Sequence, residues 1–259
     1  MYEDMSPEAL LSDAIRAIGA SDFISELLDY MRSVAAFRGA FVVALSHDGP
    51  PEYLYDNVRA ERRAIVIDRW LDGAWVLDPF VVSFLKKAND PVMVLSDVSP
   101  DRFAKSNYYD TYYKSVKLGD ELALFVTLPE RTLFFSLGRL AGEKRFSRRD
   151  VGRLTIAHPI ISALCEQHFG RTAPLTPGAA PVEISLAIMM ERVGKDLTER
   201  EIEVVQHILR GHSSQSAALL MDLSPATVKV HRKNIYRKLG ISSQSALFSL
   251  FLQSVSKPD

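Results

Sequence analysis

Cysteine, long apolar runs and any surplus of charge are what this sequence of 259 residues lacks. A single cysteine, Cys165, excludes an intrachain disulfide. It sits in an apolar helical pattern with Ile160, Ile161 and Leu164, which marks it as a small buried hydrophobe rather than a nucleophile. No apolar run approaches the roughly 18 residues that cross a bilayer, so no membrane partner is expected. The opening Met-Tyr-Glu-Asp-Met-Ser-Pro-Glu lacks the basic stretch of a signal peptide, so the expected location is cytoplasmic. Six histidines (His47, His158, His168, His207, His212 and His231) show no metal-ligand spacing. A glycine loop to cradle phosphate and a nucleophile beside a placed base are also missing. The rival reading of an enzyme is therefore set aside, and neither catalytic residues, metal nor cofactor is expected.

What is present is the mix of an ordinary globular protein, 47% apolar and 24% charged. The length suits two domains. Residues 170–184 begin Gly-Arg-Thr-Ala-Pro-Leu-Thr-Pro-Gly-Ala-Ala-Pro-Val, with no helical or strand period, and mark a linker. It divides a domain of residues 1–169 from one of residues 185–259. The formal net charge of −1 hides an asymmetry, with −4 before residue 185 and +3 from there on. Lys229, Arg232, Lys233, Arg237 and Lys238 fall within ten residues that contain no acid.

Apolar spacing predicts helices over Pro7–Ile18, Asp22–Ala35, Ala60–Leu71, Pro79–Ala88 and Phe103–Val116. A hairpin is expected from Gly39–Ser46 and Glu52–Tyr55, a short strand at Pro91–Leu95, and the clearest hairpin from Glu121–Leu128 and Arg131–Leu140. Ser147 with Asp150 has the form of a capping box and opens a helix from about Arg148 to His168, with Pro159 inside it. Helices before, between and after an antiparallel sheet define an α+β sandwich.

Beyond residue 197 every helix boundary is signposted. Thr198 with Glu201 forms a capping box, Ile202, Val205, Ile208 and Leu209 make one apolar face, and Gly211 supplies the stop. Ser213 caps a second short helix with Ala217, Ala218, Leu220 and Met221 inward. After the turn Asp222-Leu-Ser224, Ser224 caps a third helix with Pro225 at its first position. Gly240 ends that helix, and a fourth starts at Ser242 and carries Ala246, Leu247, Leu250 and Phe251. A short helix, a tight turn and a cation-loaded helix form a helix-turn-helix, whose second member lies in the major groove of duplex DNA. Helical spacing turns Val228, Ile235 and Leu239 inward and Lys229, Val230, Lys233 and Arg237 outward. A lysine donates to guanine O6 or N7, and a valine methyl touches a thymine methyl. Thr227, His231, Arg232, Asn234 and Lys238 are placed to grip phosphates.

The runs Leu197-Thr-Glu-Arg-Glu-Ile-Glu-Val-Val, Gly211-His-Ser and Leu223-Ser-Pro-Ala-Thr-Val-Lys-Val-His-Arg-Lys-Asn-Ile-Tyr-Arg-Lys-Leu-Gly240 closely resemble the LuxR/FixJ-type DNA-binding domain. The resemblance spans about 60 residues. It implies an all-α domain of four helices that binds a double-stranded operator as a homodimer, with Lys229, Val230 and Lys233 at base edges and RNA polymerase as a further candidate partner. The second helix reads Ser214-Gln-Ser-Ala-Ala218, where the family usually has Asn-Lys-Glu-Ile-Ala.

The first 170 residues are then expected to exert control. A phosphoacceptor receiver, which needs an acidic pair near its first strand, is rejected because Gly39–Ser46 has no acidic neighbour before it. A ligand-sensing domain is favoured by Trp70-Leu-Asp-Gly-Ala-Trp75-Val-Leu-Asp78-Pro79-Phe80 and by Asn107-Tyr-Tyr-Asp-Thr-Tyr-Tyr113, because aromatic walls with few polar groups suit a small-molecule pocket. Trp70, Trp75, Asp78, Tyr109, Tyr112 and Tyr113 are the candidate lining. Each tyrosine is equally well explained as core, and Asp78 before proline as a helix cap. The Trp, aromatic and Asp-Pro pattern is similar to the autoinducer-binding domains of quorum-sensing LuxR regulators. That resemblance implies an α-β-α sandwich of GAF/PAS-like kind and an acyl-homoserine lactone as effector. Asp120 and Glu121 suggest instead an amine-bearing metabolite, or simply cap a turn. The alternative controller is a ligand-free dimerisation or protein-interaction module. In the sensor reading, ligand occupancy alters dimer geometry and thereby the spacing of the two DNA readers on half-sites.

Overall fold

In the computed structural model of the protein, residues 5–46, 49–86, 90–170 and 197–255 are described. The linker expected at 170–184 lies outside them from residue 171 on, as do His47 and the start of the domain expected from 185. The elements in chain order are α1 (Pro7–Arg16), α2 (Phe23–Val34), β1 (Gly39–Leu45), β2 (Glu52–Asp56), α3 (Pro79–Leu85), β3 (Val92–Val94), β4 (Leu118–Thr127), β5 (Thr132–Leu140), α4 (Arg148–Phe169), α5 (Glu199–Arg210), α6 (Ser214–Leu220), α7 (Pro225–Lys238) and α8 (Gln244–Val255). Short helical turns between them are named by residue. Two compact units result: residues 5–59, 90–97 and 118–170, and residues 60–86, 98–117 and 197–255.

The first unit is an antiparallel five-stranded sheet in the order β2-β1-β5-β4-β3 with helices on it. Both predicted hairpins form. Alternation along the strands sends Ala40, Val42, Ala44, Leu122, Leu124, Val126, Leu133, Phe135 and Leu137 to a core shared with Leu10, Phe23, Leu27, Met31, Leu154, Ile161 and Cys165 of α1, α2 and α4. Each such aliphatic or aromatic side chain contributes about 1.5–3 kcal/mol on burial. The opposite face of the sheet is also buried and carries Phe41, Met93, Phe125 and Phe134, with Phe125 stacked on Phe134 at 5.2 Å. Glu121 and Ser136 lie on that face and hydrogen-bond each other. Asp120, expected beside Glu121 before a strand, stands inside β4 and accepts the Phe146 N–H at 2.7 Å. The pairing of β4 with β5 slips at Gly119, where a Cβ would come within 2.6 Å of the Leu140 carbonyl oxygen. The Ser147–Asp150 capping box is formed, and α4 runs through Pro159.

In the second unit the long helix predicted at Ala60–Leu71 is a helical stretch interrupted by a π turn at Ala64–Asp68. The helix expected over Phe103–Val116 is likewise broken, into a 3-10 turn (Phe103–Lys105), a single α turn (Asn107–Tyr109) and a π turn (Asp110–Lys114). Ser106 is the cause of one break: it is fully buried in extended backbone, and its hydroxyl accepts the Tyr109 N–H at 3.0 Å, starting a new turn. The four carboxy-terminal helices follow the sequence closely. Thr198 and Glu201 form their reciprocal cap, Ser213 and Ser224 accept from Ser216 and Thr227, and Gly211 and Gly240 take positive φ. Val204, Val205, Ile208, Ala217, Ala218, Val228, Ile235, Leu247 and Phe251 make the core of these helices. Leu220, expected inward on α6, is instead 54% exposed beside Leu219 at 80%. The short α6 turns only Ala217, Ala218 and Met221 inward.

Candidate functional site

The α6–turn–α7 arrangement is formed by two locally encoded features. Asp222 adopts positive φ, and the Leu223 N–H reaches back to the Ala218 carbonyl at 2.8 Å, closing the turn. Ser224 then caps α7 with Pro225 at its first turn. Val228 and Ile235 are fully buried, which fixes the rotation of α7 and leaves Lys229, Val230, Lys233 and Arg237 exposed, Val230 by 58%. That exposed valine, between lysines, is not buried among the described residues. Thr227, His231, Arg232 and Asn234 flank that face half-buried. The Thr227 hydroxyl bonds Ser224 Oγ at 2.8 Å, and Arg232 lies over the Tyr236 ring and bonds its hydroxyl at 3.2 Å. Lys238 is engaged differently: its ammonium donates to the buried Glu201 carboxylate at 2.7 Å. Burial raises the Glu201 pKa, but Lys238 and the Thr198 amide and hydroxyl outweigh it and hold the group below the usual carboxylate range. The same glutamate completes the α5 cap, so one carboxylate joins the start of α5 to the end of α7.

The aromatic candidates in the second unit converge on Asp78. This residue is 3% exposed and caps α3 by accepting the Phe80 and Val81 N–H groups at 2.8 and 3.3 Å. Its second oxygen accepts the Trp70 indole N–H and the Tyr108 hydroxyl, each at 3.0 Å. Burial pushes the Asp78 pKa above the usual carboxylate range, against the pull of those four bonds, the Trp70 bond first. The cap and the aromatic cluster are therefore one structure. Tyr108 was not singled out as a site residue in the sequence; its position four residues before Tyr112 on a helical face was the available signal. Tyr108 packs against Tyr112 at 4.6 Å and Tyr109 stacks on Tyr113 at 5.3 Å, with Phe103 edge-on to both Tyr109 and Tyr113. Tyr112 is buried, its hydroxyl has no hydrogen-bond partner among the described residues, and burial raises its phenol pKa. Trp75 is buried in the 3-10 turn Ala74–Leu77 that leads into Asp78. Glu121 belongs to the first unit, on the aromatic sheet face with Ser136.

The second unit also packs residues 98–117 against the α5–α6 corner. Arg102 N–H donates to the Gly211 carbonyl at 3.2 Å, Ser213 N–H to Asp101 Oδ1 at 3.0 Å, and Asn107 Nδ2 to Ser245 Oγ at 2.9 Å. Gly211 meets two demands at once: its φ is +92°, and a Cβ there would approach the Phe103 Cα to 3.0 Å. Among the described residues no group of three or more His, Cys, Asp or Glu could hold a metal ion, and no helix is long and apolar enough to cross a membrane.

A capped helix-turn-helix with its cationic face exposed defines a DNA-binding regulator. Residues 195–251 match the family model for bacterial regulatory proteins of the luxR family. An HTH-type transcriptional regulator encoded in the exeN 3' region of Aeromonas salmonicida is 31% identical over 183 residues, 68% of this chain and 93% of that protein. The response regulator TodT of Pseudomonas putida is 49% identical over 49 residues, 19% of this chain and 22% of its own. The LBD domain of VqsR from Pseudomonas aeruginosa superposes with a TM-score of 0.56 at 24% identity, covering 64% of this chain and 98% of that one, a likeness of fold. The chain belongs to the LuxR family of transcriptional regulators.

Proposed function

We propose that this regulator binds a small molecule at the Trp70–Asp78–Tyr108–Tyr112 cluster and that occupancy controls operator binding by α7. The observation that carries the reading is the Tyr112 hydroxyl, buried without a partner among the described residues, on a ring that packs against the Tyr108 ring bonded to buried Asp78. A buried orphan hydroxyl costs about 1–3 kcal/mol, a deficit that a ligand acceptor or donor removes. Trp75, Tyr109 and Tyr113 supply apolar area around it, and the effector classes that suit such a cluster are an acyl-homoserine lactone or an amine-bearing metabolite. In the nucleus of the reading, Lys229, Val230, Lys233 and Arg237 read bases, while Thr227, His231, Arg232 and Asn234 hold phosphates, in a homodimer on a paired operator, with RNA polymerase as the downstream partner in the cytoplasm.

Trp70 and Trp75 are the only indoles, so ligand binding is expected to change tryptophan emission and operator affinity together. Purified chain titrated with acyl-homoserine lactones and with amine-containing metabolites tests this by emission and melting temperature. Indifference of both to every compound that alters operator binding overturns it. A second reading is favoured by a specific observation: Asp78 satisfies four donors internally, as a purely structural cap would. Under that reading the amino-terminal part is a ligand-free dimerisation module, and Tyr112→Phe leaves regulation intact.

A further inference from the structure

At the end of α5 the second unit gathers positive and imidazole groups that the function above does not use. Arg210 stands one turn after His207, and both bury an unpaired atom: the guanidinium Nε and the imidazole Nδ1 have no hydrogen-bond partner among the described residues. The His212 ring meets the His207 ring edge-on at 5.1 Å, with its Nδ1 bonded to Ser216 Oγ at 2.9 Å. Lys86, at the end of α3, lies close enough to act on both imidazoles. Two acids face this group: Asp101, which also acts on His212, and Glu203. Asp101 accepts the Ser213 N–H at 3.0 Å, and Glu203 pairs with Arg200 at 2.6 Å. Arg210 itself makes no ion pair among the described residues.

A half-buried guanidinium whose Nε is shut away without an acceptor keeps a donor out of water with nothing in return, and an anion relieves that cost. We infer that His207, Arg210 and His212 form a binding site for a small oxyanion, a phosphate or carboxylate group, with Arg210 Nε and His207 Nδ1 as the inner donors. Guanidinium and imidazolium donors to an anionic oxygen give short, charge-assisted bonds, and arginine suits the planar or tetrahedral oxyanion. Burial, with neighbouring cations, holds His207 at about 4, and burial holds His212 below its usual range against the pull of Asp101. Anion binding reverses the local field, so the site takes up protons as it fills. The site shares no residue with the Asp78 cluster, so its failure leaves the proposed effector site standing.

The test uses the intact chain at pH 7 in inorganic phosphate against chloride at matched ionic strength. Phosphate at about a hundred times its dissociation constant is expected to raise the melting temperature by roughly 5–10 °C. It is also expected to shift the imidazole resonances of His207 and His212 upfield or downfield with a higher pKa, leaving His231 in place. Arg210→Gln removes the half-buried charge, so this variant melts no lower than the parent in chloride yet gains nothing from phosphate. Acetate and sulfate arms separate a carboxylate from a phosphate preference. Equal melting of the parent in phosphate and chloride, or an Arg210→Gln chain that responds like the parent, overturns the site. So does loss of about one unit of operator salt slope in Arg210→Gln without any phosphate effect, which would assign the arginine to the DNA backbone.

Discussion

The helices from residue 197 on and the stretches 60–86 and 98–117 sit in the same unit yet are built by opposite means. In the carboxy-terminal helices each boundary is set by a residue three positions away: Thr198 with Glu201, Ser213 with Ser216, Ser224 with Thr227. In the stretches 60–86 and 98–117 the helical turns are short and of mixed type, and the residue that anchors them bonds partners 8 and 30 positions away. The first construction tolerates change because each cap is independent of the others. The second concentrates its stability in one buried carboxylate, which makes that region sensitive to a single substitution.

Asp78→Ala should show the contrast most strongly. It leaves an indole N–H, a phenol and a helix start without their acceptor and is expected to cost about 3 kcal/mol in urea unfolding. Thr198→Ala, a cap of the local kind, should cost about 1 kcal/mol. Equal costs would break the distinction. Of similar size but on binding, Lys229→Ala and Lys233→Ala should each lose about 1–3 kcal/mol of discrimination between operator and mismatched duplex, with unfolding little changed. Arg232→Ala should instead weaken all sequences evenly and lower the salt slope by about one, as read by fluorescence anisotropy over a salt series.

A smaller effect is expected from pH. His207 in the folded chain protonates at about 4 because burial, then His212 and Arg210, disfavour its charge, whereas the unfolded chain protonates near the ordinary 6.5. Between those values the unfolded state binds more protons, so stability falls as pH falls from about 6.5 to 4, by about 1–2 kcal/mol once solvent screening is allowed for. His207→Gln should flatten that limb of the profile, and an unchanged profile would show that the imidazole is not the source. The smallest change distinguishes two tyrosines of one cluster. Tyr108→Phe removes a donor to Asp78 and should cost about 1 kcal/mol, while Tyr112→Phe removes an unpartnered hydroxyl and should lie within about 0.5 kcal/mol of the parent. Its effect is expected on effector response alone.

The same contrast explains what could be read in advance. Caps, turn residues and hairpin alternation are short-range signals, so the carboxy-terminal helices, both hairpins and the Ser147–Asp150 box were legible. The α7 face was legible too, because Val228 and Ile235 fix it through helical spacing alone. The broken helix at Phe103–Lys114 was not: its break depends on buried Ser106, and apolar spacing cannot tell an α turn from a π turn. Asp78 was recognised both as a cap and as a member of an aromatic site, and nothing local revealed that Tyr108 unites the two. Leu220 followed the apolar pattern outward instead of inward because α6 has too few turns to bury a third row. Arg210 offered no signal, since helical spacing reveals neither its buried Nε nor the His207–His212 ring contact.

Glu201 joins the opening of α5 to the last turn of α7 through Lys238, within a unit whose α7 is otherwise rotated into place by two apolar residues. In the proposed reading, the α7 face is thus held in place by these contacts before any duplex arrives. Capture of an operator then requires only a correctly oriented collision, with little ordering left to do, and residence time rather than association speed becomes the quantity through which base contacts express their preference.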